Sequence, residues 1–438
     1  MKSNALKNTM NYTERFNTLV IKKKTIDYRK FTIISGISIY MLFFLQKYTL
    51  NVIYGGIGAI LAILSIVLLT YDEKLLLCSF LVPGTFFFTI YDNAIVGYLF
   101  LVVLFLCFKK QSYNIILISV LVLLLLFVGA VISSNNSLFT KMIKTVSICI
   151  IYSSVQYNEK IIQKHIEYYV LGSITGSVLG VLYYLLNGRS LIVSTSTYYR
   201  FCGLSRDPNF YAAFLCISFA LLLVLIKYKP EKRLLYYFGL VGCFVLGVIS
   251  LSRGFLITIV ISSLLFLFLS DLQSKAKILI LVISSIILFA IAFPSELSMI
   301  SDLILSRVNE EGGSGRLDIW QNDLHYSFSS IKNILFGSGS LTVLRDNGIN
   351  VGTEHNSFLQ MYMEIGIIGC VAFILLIRSS FVYIKKKWQK DISIKNILPL
   401  LSVIIVYFFL SAFGGEFFIV PLYLGYYSLF LYPSKLYK

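Results

Sequence analysis

The sequence predicts an all-α polytopic membrane protein of about 14 (12–14) transmembrane helices with one large extracytoplasmic loop. Composition is the first reason. The 438 residues are 57% apolar and 13% charged, with a mean hydropathy of +0.81, against about 45–50% and about 25% in soluble domains. So few charges cannot coat a soluble body of this size, which excludes a soluble enzyme, a disordered chain and a disulfide scaffold. The second reason is that the apolar residues fall in runs of roughly 15–22, the length a membrane-crossing helix needs. The third is a one-sided distribution of basic residues.

Apolar runs bounded by charges or turn residues place spans near 31–46, 50–70, 75–90, 94–108, 113–132, 140–156, 166–187, 209–226, 234–251, 254–270, 278–293, 355–381, 396–413 and 416–432. The sixth carries Lys141 and Lys144 and has the weakest pattern. Residues 1–30 form a basic cytoplasmic segment, and 31–293 hold the first eleven spans. The large loop is 294–354, and 355–438 hold the last three spans. The first run lacks a small-residue cleavage site and reads as a retained helix. The seven cysteines make no CxxC or zinc spacing and read as small apolar packing residues.

A net charge of +17 could point to nucleic acid, but its distribution does not. With the N-terminus inside and the spans alternating, the inner side holds 27 basic and 9 acidic residues and the outer side 11 and 12. That is the positive-inside pattern, with both termini cytoplasmic and the large loop outside. The type of basic residue also changes with side. Outside are seven arginines (189, 200, 206, 253, 307, 316, 345) and four lysines (47, 141, 144, 332), whereas inside are four arginines and 23 lysines. A guanidinium binds phosphate or carboxylate oxygens through a planar fork and an ammonium acts as a point charge, so the outer face reads as an anion-recognising one.

Several outer motifs carry both a structural and a chemical reading. In Gly203-Leu204-Ser205-Arg206-Asp207-Pro208-Asn209, Asp207 and Pro208 make an N-cap and first-position pair, while Arg206 precedes a helix N-terminus that favours an anion. In Leu251-Ser252-Arg253-Gly254 the turn is so short that Arg253 faces headgroups or a protein cavity. The large loop runs from Gly312-Gly313-Ser314-Gly315 into a predicted helix near 316–331. Its Leu317, Trp320, Leu324, Phe328 and Ile331 share one face, with Trp320 as interfacial anchor and Arg316 at the N-terminal edge. Gly337-Ser338-Gly339 reads as a turn. His355 and Asn356 open the twelfth span, where a rim role and a catalytic role both fit. Glu364, nine residues on, is about half a turn away and makes no direct dyad with His355; Glu416 is the alternative carboxylate. Tyr198, Tyr199 and Phe201 read as interfacial aromatics, with sugar stacking as the other use. No zinc ligand set or acidic metal pair is apparent on the outer side.

Taken in order, Asn209, Ser252-Arg253-Gly254, Gly315-Arg316 with Trp320 and Gly337-Ser338-Gly339, and His355-Asn356 with Glu364-Ile365-Gly366-Ile367-Ile368-Gly369 resemble the O-antigen polymerase and O-antigen ligase family over about residues 200–380. The resemblance implies a class C glycosyltransferase type of architecture in a bacterial plasma membrane. It implies metal-independent, inverting glycosyl transfer at the outer face, with no cofactor and no nucleic acid. Donor and acceptor would be undecaprenyl-diphosphate-linked oligosaccharides, with membrane lipids, a flippase and a chain-length regulator as neighbours. Carried onto this chain, Arg253 and Arg316 would bind the lipid diphosphate and His355 would lie at the reacting hydroxyl or the diphosphate. Asn209, Asn356 and Glu416 would support them. Arg206 joins them from its own context.

Two further readings stay open at this point. One is ligase-type transfer to another acceptor, although the Lys-, Ile-, Asn- and Tyr-rich composition suggests a Gram-positive cell without a lipid A core. The other is a flippase or transporter for lipid-linked oligosaccharide. That would be expected to show related halves and midplane charges, whereas here the distinctive polar residues gather at helix ends and in one loop.

Overall fold

A computed structural model describes residues 27–85, 87–90, 93–108, 113–132, 159–189, 201–205, 207–228, 233–250, 252–269, 316–338 and 357–388, with single residues and short pieces between them. They form helices α1 (Tyr28–Thr49), α2 (Val52–Leu68), α3 (Tyr71–Leu81), α4 (Val96–Leu106), α5 (Tyr113–Ile132), α6 (Glu159–Leu186) and α7 (Pro208–Tyr228). These are followed by α8 (Arg233–Ile249), α9 (Arg253–Leu269), α10 (Arg316–Ser327), α11 (Ile331–Phe336) and α12 (Ser357–Trp388). Among the described residues, α1, Lys164–Leu186 of α6 and Leu359–Leu376 of α12 are long and apolar enough to cross a membrane; the other apolar helices are shorter. The expected spans at 278–293, 396–413 and 416–432 lie outside the continuous stretches described.

Helix ends pair in a way that matches alternating direction. At one end Gln46 donates to the Thr89 carbonyl (3.1 Å), Lys47 to the Leu204 carbonyl (2.9 Å) and Ser252 to Asn209 (3.2 Å). At the other, Tyr168 donates to the Arg29 carbonyl (3.4 Å) and Tyr236 to Glu167 (2.8 Å). The first set lies where the charge count predicts the outer face.

α6 is the central post. Small residues Gly172, Ser173, Gly176, Ser177 and Gly180 recur every three or four positions, the spacing that lets apolar helices approach closely. An added Cβ at Gly176 would stand 3.2 Å from the Tyr40 ring of α1. The serines are satisfied across the α6–α7 contact: Ser218 donates to Ser173 (2.8 Å) and Tyr211 to Ser177 (2.9 Å). His165 is absorbed in the same way, sharing a 2.6 Å buried hydrogen bond with Ser79 of α3.

The third expected span, 75–90, is not one helix. α3 stops at Leu81, a 3-10 turn follows at Val82–Gly84, and a two-residue strand at Thr89–Ile90 pairs antiparallel with Asn93–Ala94. Pro83 in the turn removes a backbone donor, and aromatic packing rewards the break. Tyr40 meets Phe80 and Phe88 edge-on at 5.6 and 4.6 Å. Irregular backbone is tolerated at membrane depth only when protein satisfies it. Here Thr85, Phe87 and Phe88 N–H groups donate to Val82 and Gly84 carbonyls at 2.8–3.0 Å.

Phe80 is fully buried in this cluster. Phe80→Ala is expected to cost about 3–5 kcal/mol, seen as a lower melting midpoint of the detergent-solubilised protein; an unchanged midpoint would mean that the cluster is not packed as described.

Candidate active site

The loop leading to Arg206 is held from four sides. Lys47 at the end of α1 donates to the Leu204 carbonyl (2.9 Å) and, at the limit of hydrogen-bond range, to that of Ser205 (3.5 Å), and lies 5.0 Å from the Tyr183 ring centre. The Tyr184 hydroxyl accepts from the Cys202 N–H at 3.4 Å. Phe201, fully buried, sits edge-on between Tyr184 (5.0 Å) and Tyr211 (5.3 Å). At its far end Asp207 caps α7 as expected: its Oδ1 accepts from the N–H groups of Asn209 (2.6 Å) and Phe210 (3.3 Å), with Pro208 in the first helical position. Arg206 itself lies outside the described residues.

Ser252 joins two helix starts. Its hydroxyl donates to Asn209 Oδ1 at 3.2 Å and accepts from the Phe255 N–H at 3.4 Å, so it caps α9 while tying that end to the first turn of α7. Arg253 is the first residue of α9, and its backbone therefore sits beside the start of α7. Of the residues singled out in the sequence, Asn209 and the Ser252-Arg253 turn are brought together here.

Arg316 begins α10, as expected. The helix is shorter than the expected 316–331: it ends at Ser327, and Ser330 accepts from Asn333 N–H (3.1 Å) to cap a separate α11. Phe328 and Ile331 therefore fall outside α10. Its buried side carries Asp323 and Ser327, both fully enclosed, while Leu324, Phe328 and Ile331 are 37%, 59% and 76% exposed. The helix thus buries two polar side chains, while its exposed positions are mixed, with Leu324 beside Asp318, Gln321, Asn322 and His325. Asp323 and Ser327 were not among the residues flagged from sequence, because a polar face ordinarily reads as a solvated one. Their i, i+4 spacing along the edge of the apolar stripe is the available signal.

The loop and the last described helix meet through bare backbone. α12 has a kink at Gly366 (φ 63°, ψ −173°), and Gly337, after α11, has φ 88°. A Cβ on Gly337 would stand 2.6 Å from the Glu364 carbonyl carbon, and one on Gly366 2.5 Å from the Gly337 nitrogen. The Ser338 N–H donates to the Met363 carbonyl at 2.6 Å. Only glycine adopts both the torsions and the approach without strain. Glu364, buried at this point, accepts from Gln360 Nε2 at 3.1 Å within α12. His355 and Asn356 directly precede α12; they and Glu416 lie outside the described residues.

Gly366→Ala is expected to cost about 1–3 kcal/mol from the forced torsion alone, read as a drop in melting midpoint. Gly242→Ala, at a helical position of α8 where an added Cβ meets nothing within 4 Å, provides the comparison; equal effects would show that the kink contact is not special.

No curated protein and no solved structure matches the chain. A family model does. It covers Arg253, Arg316, His355 and the Gly366 kink, begins after Arg206 and Asn209, and supports the resemblance read from the residues: residues 238–374 match the O-antigen ligase family.

Proposed function

We propose that the protein is a polymerase that joins undecaprenyl-diphosphate-linked oligosaccharide repeat units into a capsular or O-antigen-type polysaccharide at the outer face of the bacterial plasma membrane. The observation that carries this reading is the family match across Arg253, Arg316 and His355, which supports a membrane glycosyl-transfer enzyme of the O-antigen ligase kind. The link between Ser252 and Asn209 adds to it, since it gathers two helix N-termini where an anion is favoured.

In this mechanism an acceptor hydroxyl oxygen attacks the anomeric carbon of the donor sugar from the face opposite the diphosphate. The bond between that carbon and the diphosphate oxygen breaks, and configuration inverts. Charge develops on the departing lipid diphosphate, and Arg253 and Arg316, with Arg206 beside them, stabilise it as preorganised counter-charges in place of a metal ion. His355 takes the hydroxyl proton. Asn209 positions the Ser252-Arg253 turn, and Asn356 and Glu416 are assigned to the surroundings of His355. The polymerase form of the reaction is preferred to ligase-type transfer because the composition points to a cell without a lipid A core.

Arg253→Lys, Arg316→Lys and His355→Ala are each expected to abolish polymer while single lipid-linked repeats remain at the cell surface. Repeats trapped inside the cell would favour a flippase instead. With purified protein, lipid-linked repeat unit and chelator, a ladder of longer chains is expected. A single transfer to a different acceptor would favour the ligase reading, and loss of product with chelator would overturn metal independence.

A further inference from the structure

A cavity of about 260 Å³ opens between the outer end of α1, the start of α2, the short hairpin and the loop ahead of Arg206. Phe43, Gln46, Lys47, Phe87, Thr89 and Leu204 form much of its wall. Its position ties it to the candidate active site. Leu204 belongs both to the cavity and to the loop that Lys47 holds, and Arg206 is two residues beyond Leu204.

The lining has the mixture a sugar ring requires. The Phe43 and Phe87 rings, 6.2 Å apart at 64°, close the cavity on the core side and are themselves almost wholly buried, so the apolar surface open to a ring's C–H groups is that of Leu50 and Val52 at the rim. Gln46, Thr89 and Lys47 are the polar residues of the lining, the Gln46 amide being held by the Thr89 carbonyl and the Lys47 ammonium by that of Leu204. The volume is below the roughly 300–1,000 Å³ typical of sites for drug-sized ligands, which suits one ring rather than a chain of them. Among the described lining residues Lys47 is the charged one, and it would favour a ring bearing a carboxylate.

Resting on the glycosyl-transfer reading above, we propose that this cavity is an acceptor subsite: it holds one monosaccharide ring of the incoming acceptor and thereby sets how the acceptor approaches the Arg206 loop. Lys47 serves it twice, as cavity wall and as the clamp on the Leu204 carbonyl. The donor diphosphate, bound by arginines, needs none of these groups.

The test fills the cavity from its rim in the full-length protein. Val52 lines it and is 36% exposed, so Val52→Trp adds bulk with little demand on the core, and Thr89→Trp fills it from the hairpin side. With lipid-linked repeat unit as donor and free repeat-unit oligosaccharide, released from the source cell's own polysaccharide, as acceptor, KM for the acceptor is expected to rise about tenfold. Donor KM and kcat at saturating acceptor are expected to stay within about twofold. Calorimetric titration with the same oligosaccharide, without donor, reads binding independently of catalysis and is expected to weaken by the same factor. Unchanged acceptor KM and unchanged binding in both well-folded variants would overturn the subsite and leave the enzyme reading standing. No transfer by the parent protein, with oligosaccharide binding still lost in Val52→Trp, would overturn the enzyme reading and keep the site. No binding to the parent protein, or a co-purifying phospholipid displaced by Val52→Trp, would overturn the subsite in favour of a lipid site.

Discussion

The hydrogen bond from Ser252 to Asn209 fixes the start of α9 against the start of α7, and much of the proposed chemistry depends on that contact. Two apolar helices can slide or rotate past one another at little cost when only van der Waals contact holds them. A bond between polar side chains at one end sets their relative height and rotation. Ser252 is also the cap of α9, so the same hydroxyl decides where the helix begins and what it begins beside. Arg253, next in sequence, inherits both decisions. On the other side of Asn209, Asp207 caps α7, and the loop before it is fixed by Lys47, Tyr184 and Phe201. The backbone on both sides of Arg206 and ahead of Arg253 is thus set by short, local contacts. Such rigidity is what electrostatic preorganisation needs, since donors already in place spend nothing on reorganising as charge develops.

The second constraint is the backbone contact of Gly337 with Glu364–Gly366. A kink in an apolar helix frees a carbonyl that lipid cannot satisfy. In α12 the Met363 carbonyl is satisfied by the Ser338 N–H instead. The loop therefore completes the helix, and the kink provides a docking point for the loop. Through α11 and α10 this contact runs back to Arg316, and through the first turns of α12 back to Ser357, two residues after His355 in sequence. Arg316 and His355 lie 39 positions apart in sequence, and the glycine contact is what ties their elements together. α10 itself buries Asp323 and Ser327, while Leu324 and, beyond the end of the helix, Phe328 and Ile331 stay exposed.

Much of this was legible in the sequence, for identifiable reasons. Hydropathy is a local property, so α1, α2, α5, α6 and α7–α9 fall close to the expected spans, and the Asp207–Pro208 cap is a local motif that reads correctly. The break at Val82–Gly84 was not legible, because its reward is packing of Phe88 against Tyr40, nearly fifty residues earlier. The burial of Asp323 was missed for a related reason, since a polar face reads as solvated until the surroundings are known. Ser252 and Asn209 each stand out as motif residues, but their bond joins residues 43 apart, and spacing along a chain carries no sign of such a contact. Gly337 and Gly366 were noticed as motif glycines; that they touch is a property of the fold.

Lysine and arginine differ in their surroundings on the predicted outer side. Two of the four lysines counted there now have structural tasks suited to a compact ammonium. Lys47 fits between backbone carbonyls of the Arg206 loop, and the Lys144 ammonium sits 3.7 Å from the centre of the Tyr98 ring. Among the arginines, Arg189 has a comparable neighbour, lying 6.0 Å from the Tyr183 ring centre. Arg253 and Arg316 instead stand at helix starts, each as the first residue of its helix, where a cation adds nothing to helix stability and meets the unfavourable end of the dipole. A basic residue placed there gains nothing from its own helix; in the proposed mechanism the lipid diphosphate, shared between the side chain and the helix N-terminus, is what such a residue meets.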